Sequence, residues 1–191
     1  FLFLPDKEDP DSYVNKNGQA NFIDFQMADT ALNPRQRIDH ILGRPIEFYL
    51  GLKGKEKRKR ISELLDMVEL PQDFAGRYPE ELSGGQKQRV NLARALAAEP
   101  EILLCDEVIS ALDSIVGANV IQLLKQLRKK TAVSFVFISH DLSTVASFAD
   151  EIVVLYAGMI VEQGPADLVL SPPYHPYTRL LISSVPELRV G

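Results

Sequence analysis

The sequence predicts an α/β fold: a parallel sheet flanked by helices, with an inserted α-helical subdomain. Three observations predict it. First, Glu101 to Cys105 and Val133 to Ser139 are short, continuous apolar runs, the pattern of strands buried in a parallel sheet. Second, Val116, Val120, Leu123, Leu124 and Leu127 form a helical stripe between those two runs. Strand alternating with helix leads to parallel pairing with helices on the sheet faces. Third, the stretch 35–98, ahead of both runs, shows helical patterning almost throughout.

The elements follow in order. Residues 1–18 are irregular, broken by Pro5 and Pro10, and read as loop or a damaged strand. Ala20 to Phe25 reads as a short strand running into Gln26, and Asn33-Pro34 marks a turn. Arg37 to Leu70 is helical, with Ile61, Leu64, Leu65 and Val68 on one face. The run Lys53 to Arg60 (KGKEKRKR) is expected to be a solvated helix start, with contact to lipid headgroups or an acidic partner as the sharper alternative. Pro79 to Gly85 reads as loop, and Gln86 to Ala98 as a helix limited by Pro100. Asp113 and Ser114 are candidate caps for the next helix. Leu142 to Phe148 is a short helix, and two strands flank Ala157-Gly158 as a hairpin.

Composition narrows the function classes. The chain has 191 residues, 46% hydrophobic and 25% charged, which is ordinary for a globular domain. Lys+Arg 21 against Asp+Glu 26 gives a net charge of −5, which argues against binding nucleic acid through bulk charge. One cysteine, Cys105, excludes an internal disulfide and a cysteine-built metal site. Apolar runs such as Ala132 to Ile138 fall far short of the ~20 residues a spanning helix needs. A reducing, cytosolic setting fits this composition.

Four features carry chemistry. Leu82-Ser83-Gly84-Gly85-Gln86 opens a helix: Ser83 can cap it, and the glycines let the backbone approach an anion at its positive end. Ile102 to Cys105 buries a strand that delivers Asp106 and Glu107 at its C-terminal end, where ligands bind in open α/β sheets. Asp106 suits Mg²⁺, a hard cation that prefers oxygen, and Glu107 can orient or deprotonate a water. Ser110-Ala111-Leu112-Asp113 turns into the next helix and alone would read as an N-cap. His140, directly after the second apolar strand, can reach a terminal phosphate or an attacking water.

Together these segments resemble the nucleotide-binding subunit of an ABC transporter. LSGGQ matches the family signature, ILLCDE the Walker B segment, SALD the D-loop and SHD the switch histidine, while Phe25-Gln26 with Ala31 to Arg35 looks like the Q-loop. The tail from Pro172 to Thr178, with Leu180-Leu181 and Val185-Pro186, resembles the C-terminal extension of oligopeptide/dipeptide importer ATPases. His175 there is expected to be a turn residue between prolines. The resemblance implies a P-loop NTPase-type sheet and an ATP-hydrolysing subunit that powers import of peptides or similar small solutes. It implies ATP and Mg²⁺ as cofactors. Glu107 and His140 would be catalytic. Gln26, Ser83, Gly84, Gly85, Gln86 and Asp113 would bind nucleotide, and Asp106 and Gln26 the Mg²⁺. Implied partners are a second nucleotide-binding domain (as a dimer or a tandem fusion), transmembrane permease subunits and, indirectly, a solute-binding protein, with no nucleic acid. The location would be peripheral, on the cytoplasmic face of the membrane. The implied domains are 1–34 leading into the Q-loop, 35–98 the helical subdomain, 99–166 the catalytic core and 167–191 the C-terminal extension.

The sequence departs from that pattern in three places. It contains no G-x-x-x-x-G-K-[ST], the phosphate loop whose backbone and Lys cradle the β- and γ-phosphates. That loop and the N-terminal part of the domain are expected upstream of Phe1, which leaves the isolated chain inactive. Val108 stands where the family usually has Pro, and Met27-Ala28 where it has an acidic residue and Pro. An alternative is a truncated or degenerate module that hydrolyses no ATP itself and supplies its signature or a scaffold to a partner. A relative working in DNA repair fits less well, because the short spacing from Gln26 to LSGGQ leaves no room for a long insertion.

Overall fold

The computed structural model describes residues 22–25, 32–108 and 114–184. The chain divides into two compact units that part between Val136 and Phe137.

In the first unit, β1 (Phe22–Phe25) pairs in parallel with β2 (Ile102–Asp106), with Phe25 opposite Cys105. The third strand, β3 (Ser134–Ile138), within which the division between Val136 and Phe137 falls, completes the order β1-β2-β3. The Ser134 N–H donates to the Glu101 carbonyl at 2.8 Å, so β3 starts beside the start of β2, as parallel strands do. Leu103 and Cys105 are wholly buried, while Ile102 and Leu104 on the other face of β2 are only partly covered. Ser134 is exposed and the rest of β3 is half-buried. The expectation of two strands hidden on both faces is thus corrected. β3 ends the strand order among the described residues, so it has a neighbour on one side only.

Between β1 and β2 lie three helices: α1 (Ile38–Leu50), α2 (Gly54–Met67) and α3 (Gly84–Leu96). Each turns an apolar stripe inward. Ile38, Leu42 and Ile46 of α1, Leu64 and Leu65 of α2, and Val90 and Ala93 of α3 are all fully buried, and the three helices pack on one another. Pro45 sits inside α1 and removes one backbone donor, yet the helix continues because burial of Ile41, Leu42 and Ile46 outweighs one lost hydrogen bond. α1 stops at Gly51, whose φ of 67° is the left-handed C-terminal geometry glycine adopts without strain. Arg89 of α3 closes the end of α2: its Nη1 donates to the Val68 carbonyl at 2.9 Å and pairs with Glu69 at 2.8 Å. A cation there complements the negative end of the helix dipole.

After β2, α4 (Ser114–Lys130) carries the expected stripe, with Val120, Leu123, Leu124 and Leu127 at most 2% exposed.

In the second unit, α5 (Leu142–Phe148) leads into the antiparallel hairpin of β4 (Glu151–Tyr156) and β5 (Met159–Pro165). Its two-residue loop has φ of 50° at Ala157 and 80° at Gly158, the paired positive values that match a hairpin's twist. Short α6 (Ala166–Val169) and α7 (Pro176–Ser184) follow. Ile152, Val154 and Val169 form the core of this unit, packed by Val145, Tyr177 and Leu181 among others. Within the tail, Tyr177 stacks on Tyr156 at 4.5 Å between ring centroids. His175 is a turn residue whose Nδ1 accepts the Tyr177 N–H at 3.2 Å.

Candidate functional site

The glycine turn is built by local sequence. Ser83 takes an extended backbone (φ −67°, ψ 162°) and caps α3. Its Oγ accepts the Gln86 N–H at 3.4 Å, while Gln86 Oε1 accepts the Ser83 N–H at 2.9 Å. This reciprocal box satisfies two donors and starts the helix at Gly84, as a Ser83 cap requires, two residues before the Gln86 at which the helical pattern reads as beginning. The Gly84 and Gly85 amides have no hydrogen-bond partner among the described residues. They stand at the positive end of a 13-residue helix, free to receive an anion.

The two glycines differ. A Cβ on Gly84 would meet nothing within 4 Å, so this position faces open space. A Cβ on Gly85 would come to 2.9 Å from Val116 Cγ1, so glycine there lets α3 approach α4. One glycine is required by packing; the other leaves backbone uncovered.

β2 delivers the acidic pair. Asp106 is its last residue and is exposed; its carboxylate has no ion pair or hydrogen bond among the described residues. Glu107 follows, also exposed, with φ of 45°. A left-handed glutamate is strained, and such outliers gather where geometry serves function. Val108 then turns back into the core at 2% exposure. Because β1 and β2 are parallel and in register, the chain leaves β1 at Phe25 on the same sheet edge at which Asp106 ends β2.

Gln88 joins the two segments. It is 3% exposed, and its Nε2 donates to the Val108 carbonyl at 3.1 Å. The second turn of the signature helix is therefore bonded to the residue directly after the acidic pair. Sequence reasoning missed Gln88. Its signal was a polar side chain three residues before Asn91 on one helix face, and both prove to be buried.

His140 belongs to the second unit, exposed, two residues past the end of β3. Its neighbours are ordered: Ser139 Oγ accepts the Asp141 N–H at 3.0 Å, and Asp141 caps α5 by accepting the Ser143 N–H at 3.0 Å. Gln26 and Asp113, the other two expected site residues, lie outside the described residues.

These residues fit the groups the sequence implies. Uncovered amides at a helix start, with a serine hydroxyl whose proton remains available, suit phosphate oxygens. An unpaired carboxylate suits Mg²⁺, which keeps several waters and needs only one or two protein carboxylates. The described residues hold no cluster of three or more metal-ligating side chains, which such a site does not require.

Comparison with known proteins gives the family. The family model described as ABC transporter matches residues 7–110, and the model for the oligopeptide/dipeptide transporter C-terminal region matches residues 161–191. The chain therefore belongs to the ABC transporter family. A putative peptide import ATP-binding protein of Brucella abortus is 46% identical over 167 residues, covering 87% of this chain and 50% of the relative. The oligopeptide transport ATP-binding protein OppF of Bacillus subtilis is 44% identical, covering 85% of this chain and 53% of its own length. The dipeptide transport ATP-binding protein DppF of Haemophilus influenzae is 42% identical over 87% of this chain and 51% of its length. The chain spans about half the length of the curated relatives it matches. Among solved structures, the dimeric post-hydrolysis state of the ATP-binding cassette MJ0796, bound to ADP and Pi, superposes with a TM-score of 0.66 at 36% identity. It covers 84% of this chain and 68% of that one.

Proposed function

We propose that this chain is part of an ATP-hydrolysing subunit that powers import of peptides or similar small solutes. One observation carries the reading: relatives 42–46% identical are named as peptide, dipeptide or oligopeptide import ATP-binding proteins. An alignment of 167 residues out of 191 necessarily runs through Ser83 to His140.

The residues divide the work. Ser83, Gly84 and Gly85 hold the γ-phosphate of ATP bound to a second nucleotide-binding domain, and Gln86 braces their turn. Asp106 would hold Mg²⁺, with Gln26 contributing. Bound Mg²⁺ supplies neutralisation of phosphate charge. Glu107 orients a water and takes its proton. His140 stabilises negative charge at the terminal phosphate, and Asp113 crosses to the paired domain. Phosphoryl transfer asks for positioning and charge neutralisation more than covalent chemistry, and fixed amides, carboxylates and an imidazole provide both.

The partners are the second nucleotide-binding domain, permease subunits in the membrane and, through them, a solute-binding protein. The subunit lies peripherally on the cytoplasmic face. Among the described residues no helix is long and apolar enough to cross a membrane.

The test is reconstitution of the full-length subunit with its permease in vesicles. ATP-dependent uptake of a labelled oligopeptide, lost when ATP is replaced by a non-hydrolysable analogue, is the expected result. Uptake that proceeds without hydrolysis by this subunit contradicts the reading.

A further inference from the structure

The corner between α1 and α2 carries charge that the ATP site does not use. From Glu47 to Glu63 there are six cations against three acids, in a chain whose net charge is −5. Three of the cations are engaged. Lys57 pairs with Glu47, Lys59 with Glu63 at 3.8 Å, and Arg60 with Glu63 at 3.4 Å and Glu99 at 3.0 Å. The side chains of Lys53, Lys55 and Arg58 are exposed and form no ion pair or hydrogen bond among the described residues.

Helix energetics do not explain them. Lys53 is the N-cap of α2 without a side-chain cap bond, and Lys55 stands in its first turn. Cations there oppose the positive end of the helix dipole. Lys55, Arg58 and Lys59 follow i, i+3, i+4 spacing along α2, and all three are exposed. Lys53 attracts Glu47 less than Lys57 does, and a local rule broken on the surface by Lys53 and Lys55 together points to something outside the chain.

A second observation adjoins the first. At the end of α1, Phe48 is 73% exposed and Tyr49 38% exposed, their rings edge to face at 4.8 Å. A short linker, Gly51 to Lys53, joins these aromatics to the cations. Exposed rings beside flexible lysines form the pattern of a membrane-water interface: the ring enters the headgroup boundary and the ammonium groups meet phosphate.

We propose that this corner is a contact surface for an anionic lipid bilayer. An acidic protein surface is the weaker match, because protein interfaces are depleted in lysine and favour preorganised arginine. A field of headgroup phosphates rewards each cation without demanding a register, at roughly fivefold in partitioning per charge.

The experiment uses the full-length subunit without its permease, in vesicle flotation. Vesicles of phosphatidylcholine alone are compared with equal parts phosphatidylcholine and phosphatidylglycerol. Expected are salt-sensitive binding to the mixed vesicles only, a fall of roughly 10²-fold in the triple variant Lys53→Gln, Lys55→Gln, Arg58→Gln, and a several-fold fall in Phe48→Ala. All four side chains are exposed, so the variants keep the fold and its basal ATPase activity. Equal binding to both vesicle types, or an unchanged triple variant, overturns the proposal. So does a triple variant that floats normally but fails to co-purify with the permease in detergent, because that result assigns the patch to an acidic protein partner.

Discussion

The side-chain amide of Gln88 reaches the backbone carbonyl of Val108 at 3.1 Å, so the helix that begins with Ser83 is bonded to the residue after Glu107. Both residues are buried, and without this bond the Val108 carbonyl would lose its partner in the core. Gln88→Leu keeps the bulk and removes the donor. It is expected to cost about 1–3 kcal/mol in denaturant unfolding, the penalty of an orphaned buried acceptor, and to lower ATPase turnover in the full-length subunit. A variant as stable as the parent would show that the bond contributes nothing.

Gly84 and Gly85 separate binding from packing. Gly85→Ala places a methyl 2.9 Å from Val116 Cγ1, and overpacking of that kind costs about 1–3 kcal/mol. Gly84→Ala meets nothing and should leave Tm unchanged or slightly raised, since alanine favours helix. The new methyl nevertheless covers amides offered to phosphate. ATPase activity should therefore fall at least tenfold in Gly84→Ala with Tm retained, as read by steady-state turnover and calorimetry.

The backbone at Glu107 stores strain. A left-handed conformation at φ 45° costs a non-glycine residue about 1–2 kcal/mol, and glycine relieves it. Glu107→Gly is expected to raise unfolding stability by about 1 kcal/mol while abolishing turnover. A destabilised Glu107→Gly would mean that the glutamate's contacts outweigh its strain.

Glu47 ties α1 to α2 in a pH-dependent way. The hydrogen bond and charge of Lys57 hold its carboxyl below the ordinary glutamate value. A lowered carboxyl stabilises the fold above the ordinary glutamate range and loses that contribution as pH falls through its own lowered value. The pair is exposed, so the effect is small. Urea midpoints measured from neutral pH down through the carboxylate range should fall less steeply in Glu47→Gln than in the parent. Identical acid limbs would contradict this.

Much of the fold was legible because its local signals agree. The apolar run into Asp106 formed a strand, the Val120 to Leu127 stripe formed a helix, and Ala157-Gly158 formed the hairpin loop. Ser83 caps α3 as its residue type suggests, so the helix opens at Gly84, inside the stretch whose pattern reads as loop up to Gly85. Gln88 escaped notice because its partner is a backbone carbonyl, which leaves no trace in side-chain periodicity. Partial burial of β3 depends on its place in the strand order, a tertiary property that its apolar composition does not encode. At the site, the residue types were readable from motif spacing. The uncovered amides of Gly84 and Gly85 and the left-handed backbone of Glu107 needed coordinates.

The central claim is that Glu107 activates the water that attacks ATP. The direct measurement is Glu107→Gln in the full-length subunit, with ATP affinity and turnover read on the same preparation. Unchanged affinity with turnover reduced roughly 10²–10⁴-fold is the predicted result, the range lost with a positioned general base. Turnover equal to the parent's would remove Glu107 from the chemistry.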